Sequence, residues 1–117
     1  MTETGALDAP YGFRQRFEGE PGTNPEEILG AAHSACFSMA FANILAQAGM
    51  TPDSIETTAT VTLDASAMKI TKVHLDVQAK VSNPDEAAFQ DAAKKAKEGC
   101  PVSKLFNADI TMDAKLA

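Results

Sequence analysis

Residues 24–49, NPEEILGAAHSACFSMAFANILAQAG, carry the strongest structural signal in the sequence. Asn24 can cap the free amides of a first helical turn, and Pro25 suits the first position inside a helix. Gly49 fits a left-handed stop after the last turn. These signals predict one helix from residue 25 to about residue 48, which is about as long as a small domain is wide.

Apolar side chains surround this predicted helix on nearly all sides. They are Ile28, Leu29, Cys36, Phe37, Met39, Phe41, Ile44 and Leu45, with alanines between them. A helix without a wide polar face is buried on most sides, and a chain of 117 residues has little material to surround it. We therefore expect a homodimer whose interface uses the helix. Polar residues such as His33 and Ser38 interrupt the segment, so we do not expect a transmembrane helix.

Two segments with alternating apolar and polar residues follow the helix. Residues 55–64 and 72–81 have the period of two that is typical of strands with one wet face, and they predict an antiparallel hairpin. A second capped helix is expected to end at Gly99, and residues 108–116 predict a last strand. The fold class is α+β, a single domain over residues 1–117 with an antiparallel sheet packed on a long helix.

The composition excludes several classes of partner. The chain has 10 Lys+Arg against 16 Asp+Glu and a net charge of -6, so we expect neither nucleic acid nor an anionic membrane as a partner. Residues 1–12 do not have the pattern of a signal peptide, which predicts a cytoplasmic protein. In a reducing cytosol, two cysteines are usually free or redox-active rather than a structural staple.

Cys36 lies in the middle of the long helix, where two interpretations stay open. A free cysteine there is most often a small buried hydrophobic residue. The helix dipole acts only over the terminal turn, so a reactive Cys36 would need a cation from elsewhere. His33 lies one turn earlier on the same face, where it could assist the thiol or simply be a core histidine.

Cys100 has a different local setting. It follows Gly99 and precedes Pro101, which opens a short helical turn through about Leu105. Cys100 is therefore expected at or near an N-cap, where free amides and the helix dipole favour a thiolate.

The sequence gives little support for a metal site. Neither a CxxC pair nor any spacing typical of metal ligands is present. Cys36, Cys100, His33 and His74 could bind zinc in principle, but we expect them on different surfaces, so no metal is predicted. Glycine-rich phosphate loops and a GxSxG motif are also absent from the sequence.

Residues 11–18, YGFRQRFE, carry both arginines of the chain. The segment is predicted to be a strand or an extended arm, in which case Arg14 and Arg16 point the same way. They could lie on a solvated face, or they could deliver a guanidinium to a thiolate.

Three stretches resemble a known family. They are PYGFRQRFEGEPGTNPEEILGAAHSACFSMA at residues 10–40, KITKVHLD at 69–76 and KAKEGCPVSKLFNADITMD at 95–113. Together they look like the osmotically inducible protein C (OsmC) branch of the OsmC/Ohr organic hydroperoxide peroxidases. The resemblance covers nearly the whole chain. The family pattern has a further pair of strands ahead of this region, whereas only residues 1–9 precede it here, which bears on the sheet edge and on the position of Arg16.

Membership of this family implies a thiol peroxidase with no cofactor, on an intertwined homodimer. Cys36 matches the peroxidatic cysteine, Cys100 the resolving cysteine, Arg16 the activating arginine and Glu26 the glutamate that pairs with it. A Cys36–Cys100 disulfide would then be reduced by an external dithiol, and the resemblance implies lipoyl groups on proteins as reductants.

The apolar residues beside Cys36 indicate the type of substrate. Phe37, Met39 and Phe41 suit an organic hydroperoxide better than hydrogen peroxide, and Phe37 and Met39 are the predicted substrate-binding residues. Two other classes of protein stay open, namely a non-catalytic dimeric scaffold or carrier and a zinc-binding regulator.

The helix geometry restricts how Glu26 can act on Cys36. In a continuous helix the two residues are about 15 Å apart along the axis and about 80° apart around it. An extended glutamate cannot cover that distance. We therefore expect a composite site, with Cys36 and Cys100 of one chain near Glu26, and with it Arg16, of the partner.

Overall fold

The computed structural model describes all residues from Met1 to Ala117. In chain order the elements are α1 (Phe13–Phe17), α2 (Pro25–Gln47), β1 (Pro52–Asp64), β2 (Lys69–Val81), α3 (Glu86–Gly99), α4 (Pro101–Leu105) and β3 (Asp109–Leu116). Helices precede and follow a hairpin, and the last strand returns to the same sheet, so the α+β class is confirmed.

Helix α2 begins and ends where its sequence signals predict. The Asn24 side chain accepts a hydrogen bond of 2.9 Å from the Glu27 amide, and Pro25 occupies the first turn. Gly49 follows the helix with a φ of 83°, in the left-handed region that favours glycine. The helix is unbroken over its 23 residues, which fixes the spacing of every side chain along it.

The three strands form a mixed sheet in the order β1-β2-β3. Strands β1 and β2 are an antiparallel hairpin, as predicted. Strand β3 runs parallel to β2, with Val73 opposite Ile110, so the prediction of a wholly antiparallel sheet is wrong for this pair. The chain crosses over through α3 and α4 before it returns, and such a crossover gives a parallel neighbour. Alternation along a strand does not encode its direction.

One stripe along α2 is buried although the helix is apolar nearly all round. Its members are Glu26, Gly30, His33, Phe37, Phe41 and Leu45. This stripe faces β1 and α3, and the ring centroids of Phe41 and Phe89 are 5.3 Å apart. The core therefore lies between α2, α3 and the inner face of the sheet.

The opposite face of α2 is apolar and exposed in a single chain. Ile28 is 45% exposed and Met39 is 76% exposed. Only 16 of 117 residues are buried, and the radius of gyration is 15.7 Å, above the roughly 13 Å expected for a compact chain of this size. Length and composition alone would let α2 cross a membrane, but a core helix passes the same test.

The segment around the two arginines is helical, so the prediction of a strand or extended arm is wrong. Phe13 and Phe17 are four residues apart, and their ring centroids lie 4.8 Å apart on α1. This spacing fits one helical turn as well as a strand. Because α1 is helical, the arginines diverge instead of pointing the same way. Arg14 pairs with the exposed Glu18, and Arg16 turns towards α2.

Candidate active site

Cys36 and Cys100 come together although they are far apart in the sequence. Cys36 is half-buried in the middle of α2, and Cys100 is fully buried at the junction of α3 and α4. Both are free thiols, and their side chains are close enough for the Cys100 thiol to raise the pKa of Cys36. This contact places the two sulfur atoms where one can react with an oxidised form of the other.

The protonation of Cys36 depends on its burial and on two neighbouring groups. Burial raises the pKa of the Cys36 thiol, and the hydrogen bond with Cys100 raises it further. The Val102 amide donates a hydrogen bond to the sulfur, which lowers the pKa because it favours the thiolate. The net shift is upward, so Cys36 needs further positive charge to be a thiolate at neutral pH.

The sequence signals correctly predicted that α4 begins just after Cys100. They favoured Cys100 as the thiol that its first-turn amides would stabilise, whereas the structure directs one of those amides at Cys36. Cys100 is the N-cap of α4, as expected, yet its side chain makes no capping hydrogen bond. An amide of the first turn, that of Val102, is directed instead at Cys36. Local sequence could not show this, because the contact joins residues that are distant along the chain.

His33 connects α2 to α4 beside the two cysteines. Its Nε2 lies 2.6 Å from the Ser103 Oγ, and its ring meets the Phe106 ring edge-on at 5.3 Å. The side chain is fully buried, and burial lowers its pKa below the ordinary value of 6.5. His33 is therefore a neutral imidazole at neutral pH, not a cation for Cys36.

Arg16 and Glu26 form a bidentate ion pair within one chain. Arg16 Nε lies 3.1 Å from Glu26 Oε2, and its terminal nitrogen lies 2.8 Å from Oε1. The side chains are 28% and 11% exposed, so the pair is largely shielded from water. A fork of this kind fixes the guanidinium plane, which a lysine could not do. The pair borders an open cavity of about 340 Å³ against β1.

The structure forms two pairs but does not join them within one chain. Cys36 meets Cys100, and Arg16 meets Glu26. Because α2 is unbroken, Glu26 lies about 15 Å from Cys36 along the axis. Neither cysteine borders the cavity beside the ion pair. The guanidinium that could support a thiolate therefore stays away from the thiol of its own chain.

The family assignment follows from direct comparison with known proteins. The family model described as "OsmC-like protein" matches residues 17–115. The chain belongs to the OsmC family. It is 52% identical over 118 residues to "Peroxiredoxin OsmC" of Escherichia coli strain K12, which covers 98% of this chain and 82% of that protein.

Further relatives come from the other branch of the OsmC family and from solved structures. "Organic hydroperoxide resistance protein-like 1" of Staphylococcus saprophyticus is 33% identical over 122 residues, covering 100% of this chain and 84% of that protein. The organic hydroperoxide resistance protein OhrB of Bacillus subtilis superposes with a TM-score of 0.70 at 26% identity, covering 97% and 86%. An OsmC-like protein of unknown function from Vibrio cholerae superposes with a TM-score of 0.76 at 22% identity, covering 89% and 74%.

The apolar residues next to Cys36 in this OsmC family member have different environments. Phe37 and Phe41 are fully buried, and their ring centroids lie 5.3 Å apart in the core. Met39 points out of α2 on its exposed face. The structure thus assigns Phe37 to the core, and Met39 alone of these three could meet a substrate without a rearrangement.

The four residues considered for zinc do not form one group of ligands, because His74 lies apart from His33 and the two cysteines. His74 lies on the outer face of the sheet, where its Nδ1 is 2.6 Å from the Thr111 Oγ1. Its Nε2 lies 3.4 Å from Asp76 and 3.3 Å from Asp113, and these three side chains are the one group of potential metal ligands in the chain. His33 and the two cysteines are not part of that group.

Proposed function

We propose that this member of the OsmC family is a thiol-dependent peroxidase that reduces organic hydroperoxides. The contact between Cys36 and Cys100 is the main support for this function, because a peroxidatic thiol needs a second thiol within reach. The similarity to the relatives named "Peroxiredoxin OsmC" and "Organic hydroperoxide resistance protein-like 1" supports the same activity.

The reaction proceeds in three steps, namely attack on the peroxide, disulfide formation and reduction. The Cys36 thiolate attacks the terminal oxygen of the hydroperoxide, the O–O bond breaks, and the alkoxide leaves as an alcohol after it takes a proton. Cys36 is then a sulfenic acid. The Cys100 sulfur attacks the Cys36 sulfur, water leaves, and a disulfide forms. An external dithiol supplies two electrons and two protons and restores both thiols.

Arg16, held in place by Glu26, supplies the positive charge that Cys36 lacks in its own chain. We infer a homodimer in which the ion pair of one protomer faces the cysteines of the other. The exposed apolar face of α2 supports this arrangement, since a second copy would cover exposed apolar residues such as Ile28. A guanidinium keeps its charge at every relevant pH, so it stabilises the thiolate without acting as an acid.

The same apolar face indicates the type of substrate, and the free thiols indicate the reductant and the location. Met39 lies on that face of α2, three residues after Cys36, which favours a hydroperoxide with an apolar organic group. The electrons come from thiols, so the reaction requires neither a metal nor a cofactor. We propose a dithiol reductant, such as a protein-bound lipoyl group, and a cytoplasmic location in keeping with the free thiols.

Single-turnover measurements with the two cysteine variants test the peroxidase function. The reduced protein is mixed with an organic hydroperoxide, and the peroxide consumed per subunit is counted with and without excess dithiol. Cys36→Ser should consume none. Cys100→Ser should consume about one equivalent and then stall or overoxidise, because no resolving thiol remains.

The two variants serve as matched controls for each other, since each removes one sulfur atom. The reverse pattern would exchange the two roles. No consumption by wild-type protein in the presence of dithiol would instead favour a non-catalytic scaffold or carrier of the same fold.

Subunit mixing tests the composite site. Inactive Cys36→Ser and Arg16→Ala homodimers are mixed and allowed to exchange, and exchange is verified by mass spectrometry. Heterodimers contain one site with both an intact cysteine and an intact partner arginine, so part of the activity should return. Verified exchange without recovery would place Arg16 and its cysteine on the same chain.

A further inference from the structure

The first turn of α4 holds the one group that favours the Cys36 thiolate within the chain. Among the contacts that shift the pKa of Cys36, only the hydrogen bond from the Val102 amide lowers it. Hydrogen bonds to a charged acceptor contribute more than those between neutral groups. The position of Val102 relative to α2 therefore affects how readily Cys36 ionises.

Helix α4 has few means of holding that position by itself. It has five residues, none of them buried, and no side chain caps its N-terminus. A helix this short is not stable in isolation. Its placement must come from contacts with its neighbours, and α2 and α3 are the helices that it touches.

His33 makes the hydrogen bond that ties α4 to α2 at the required point. Its Nε2 lies 2.6 Å from the hydroxyl of Ser103, the residue that follows Val102, and its ring packs edge-on against Phe106 just after α4. His33 is also three residues before Cys36 on the same face of α2, so the hydrogen bond between His33 and Ser103 lies beside the thiol.

The environment of His33 argues against a purely structural histidine. The side chain is fully buried, and its Nδ1 has no hydrogen-bond partner in the chain. A buried polar atom without a partner costs stability, and an apolar side chain of similar size would avoid that cost. A histidine at this position can form the hydrogen bond to Ser103, whereas an apolar residue cannot.

We propose that His33 and Ser103 are positioning residues that hold the first turn of α4 against α2 and keep the Val102 amide directed at the Cys36 sulfur. His33 acts through geometry and not through charge, because burial keeps its imidazole neutral. Cys100, at the end of α3, is the one titratable group that acts on the Cys36 thiol through its charge. The inference deepens the proposed function and rests on it for any effect on turnover.

The pH dependence of Cys36 alkylation tests this inference without a peroxide. The reduced full-length protein is treated with iodoacetamide at a series of pH values, and modification of the Cys36 peptide is followed by mass spectrometry. Ser103→Ala should raise the midpoint by about one pH unit, which is about a tenfold slower alkylation below the midpoint. The shift follows because the Val102 amide is no longer held in place.

Ser38→Ala is the matched control. The Ser38 hydroxyl also makes a tertiary hydrogen bond from α2, at 2.8 Å to the Thr57 hydroxyl on β1, but it makes none with α4. Its profile should overlay that of the wild type. A Ser103→Ala profile that coincides with the Ser38→Ala profile would overturn the inference.

Two substitutions of His33 separate positioning from packing. His33→Gln keeps a side-chain group that can bond to Ser103 and should give a midpoint between those of the wild type and His33→Leu. Equal midpoints for the two would contradict the proposal, and if His33→Leu does not fold, Ser103→Ala decides the outcome. Because alkylation requires no catalysis, a shifted midpoint without peroxide consumption would count against the peroxidase function alone.

Discussion

Gly30 lets helix α2 approach strand β1 closely, and its replacement by alanine puts that contact to the test. A Cβ atom built on Gly30 would lie 2.9 Å from the carbonyl oxygen of Ala59. Ordinary contacts of this kind are about half an ångström longer, and a strand carbonyl cannot rotate away as a flexible side chain can. The helix and the strand must therefore move apart in Gly30→Ala.

Two effects of opposite sign decide the stability of Gly30→Ala. Alanine favours a helix over glycine by about 1 kcal/mol. Overpacking at a rigid contact costs about 1–3 kcal/mol. With about 2 kcal/mol for a clash against backbone, the net loss is about 1 kcal/mol. For 117 residues this corresponds to a fall in Tm of roughly 4 °C.

Urea unfolding at a fixed protein concentration measures the difference, because the stability of the proposed dimer would depend on concentration. Gly99→Ala is the matched control, since a Cβ at that helical position meets nothing within 4 Å. It should leave stability unchanged or raise it slightly. If Gly30→Ala were as stable as Gly99→Ala, the close approach of α2 to β1 would be wrong. Peroxidase activity should also fall in Gly30→Ala, because Ala59 borders the cavity beside Arg16 and Glu26.

Three further substitutions probe the core and two titratable groups. Phe89→Ala should lower the free energy of unfolding by about 3–5 kcal/mol, since the ring is fully buried against Phe41; urea unfolding close to that of the wild type would contradict this. Burial lowers the pKa of His33, so the folded state favours the neutral imidazole. The stability that this form contributes is fully present above pH 6.5 and is lost as the pH falls through the pKa of the folded state. Wild-type protein should lose more stability than His33→Gln between pH 7.5 and pH 5, as measured by urea midpoints. Hydrogen bonds from the Ser66 hydroxyl and nearby amides hold the pKa of Asp64 below 3.8. Asp64→Ala should therefore destabilise the protein at pH 7, and its difference from the wild type should shrink as the pH falls below 3.8, by the same measurement.

The elements with local signals could be predicted from the sequence. Asn24 caps α2 as expected, and the alternation of residues 55–64 and 72–81 gave the hairpin. A cap and a period of two act over a few residues, so they are visible in a single sequence. The segment around Phe13 was ambiguous because its aromatic spacing fits a helix and a strand equally well.

The parts that escaped prediction depend on contacts between distant segments. The parallel pairing of β3 follows from the crossover through α3 and α4, which no strand encodes. The hydrogen bond from Val102 to Cys36 and the bond between His33 and Ser103 join helices through tertiary packing. By contrast, the family resemblance named the four catalytic candidates, and the spacing of Glu26 and Cys36 along one continuous helix predicted that they lie apart within one chain.

The contact between Cys36 and Cys100 also means that the catalytic cycle would change the covalent connectivity of the chain. A disulfide between them would close a covalent ring that contains the hairpin and all of α3. Closing a ring of this size lowers the entropy of the unfolded chain by an amount worth about 4 kcal/mol. In each turnover the polypeptide would then change from a linear chain to one closed by a disulfide, and back again. Under peroxide stress, molecules waiting for a reductant would be the ones that resist unfolding and proteolysis best.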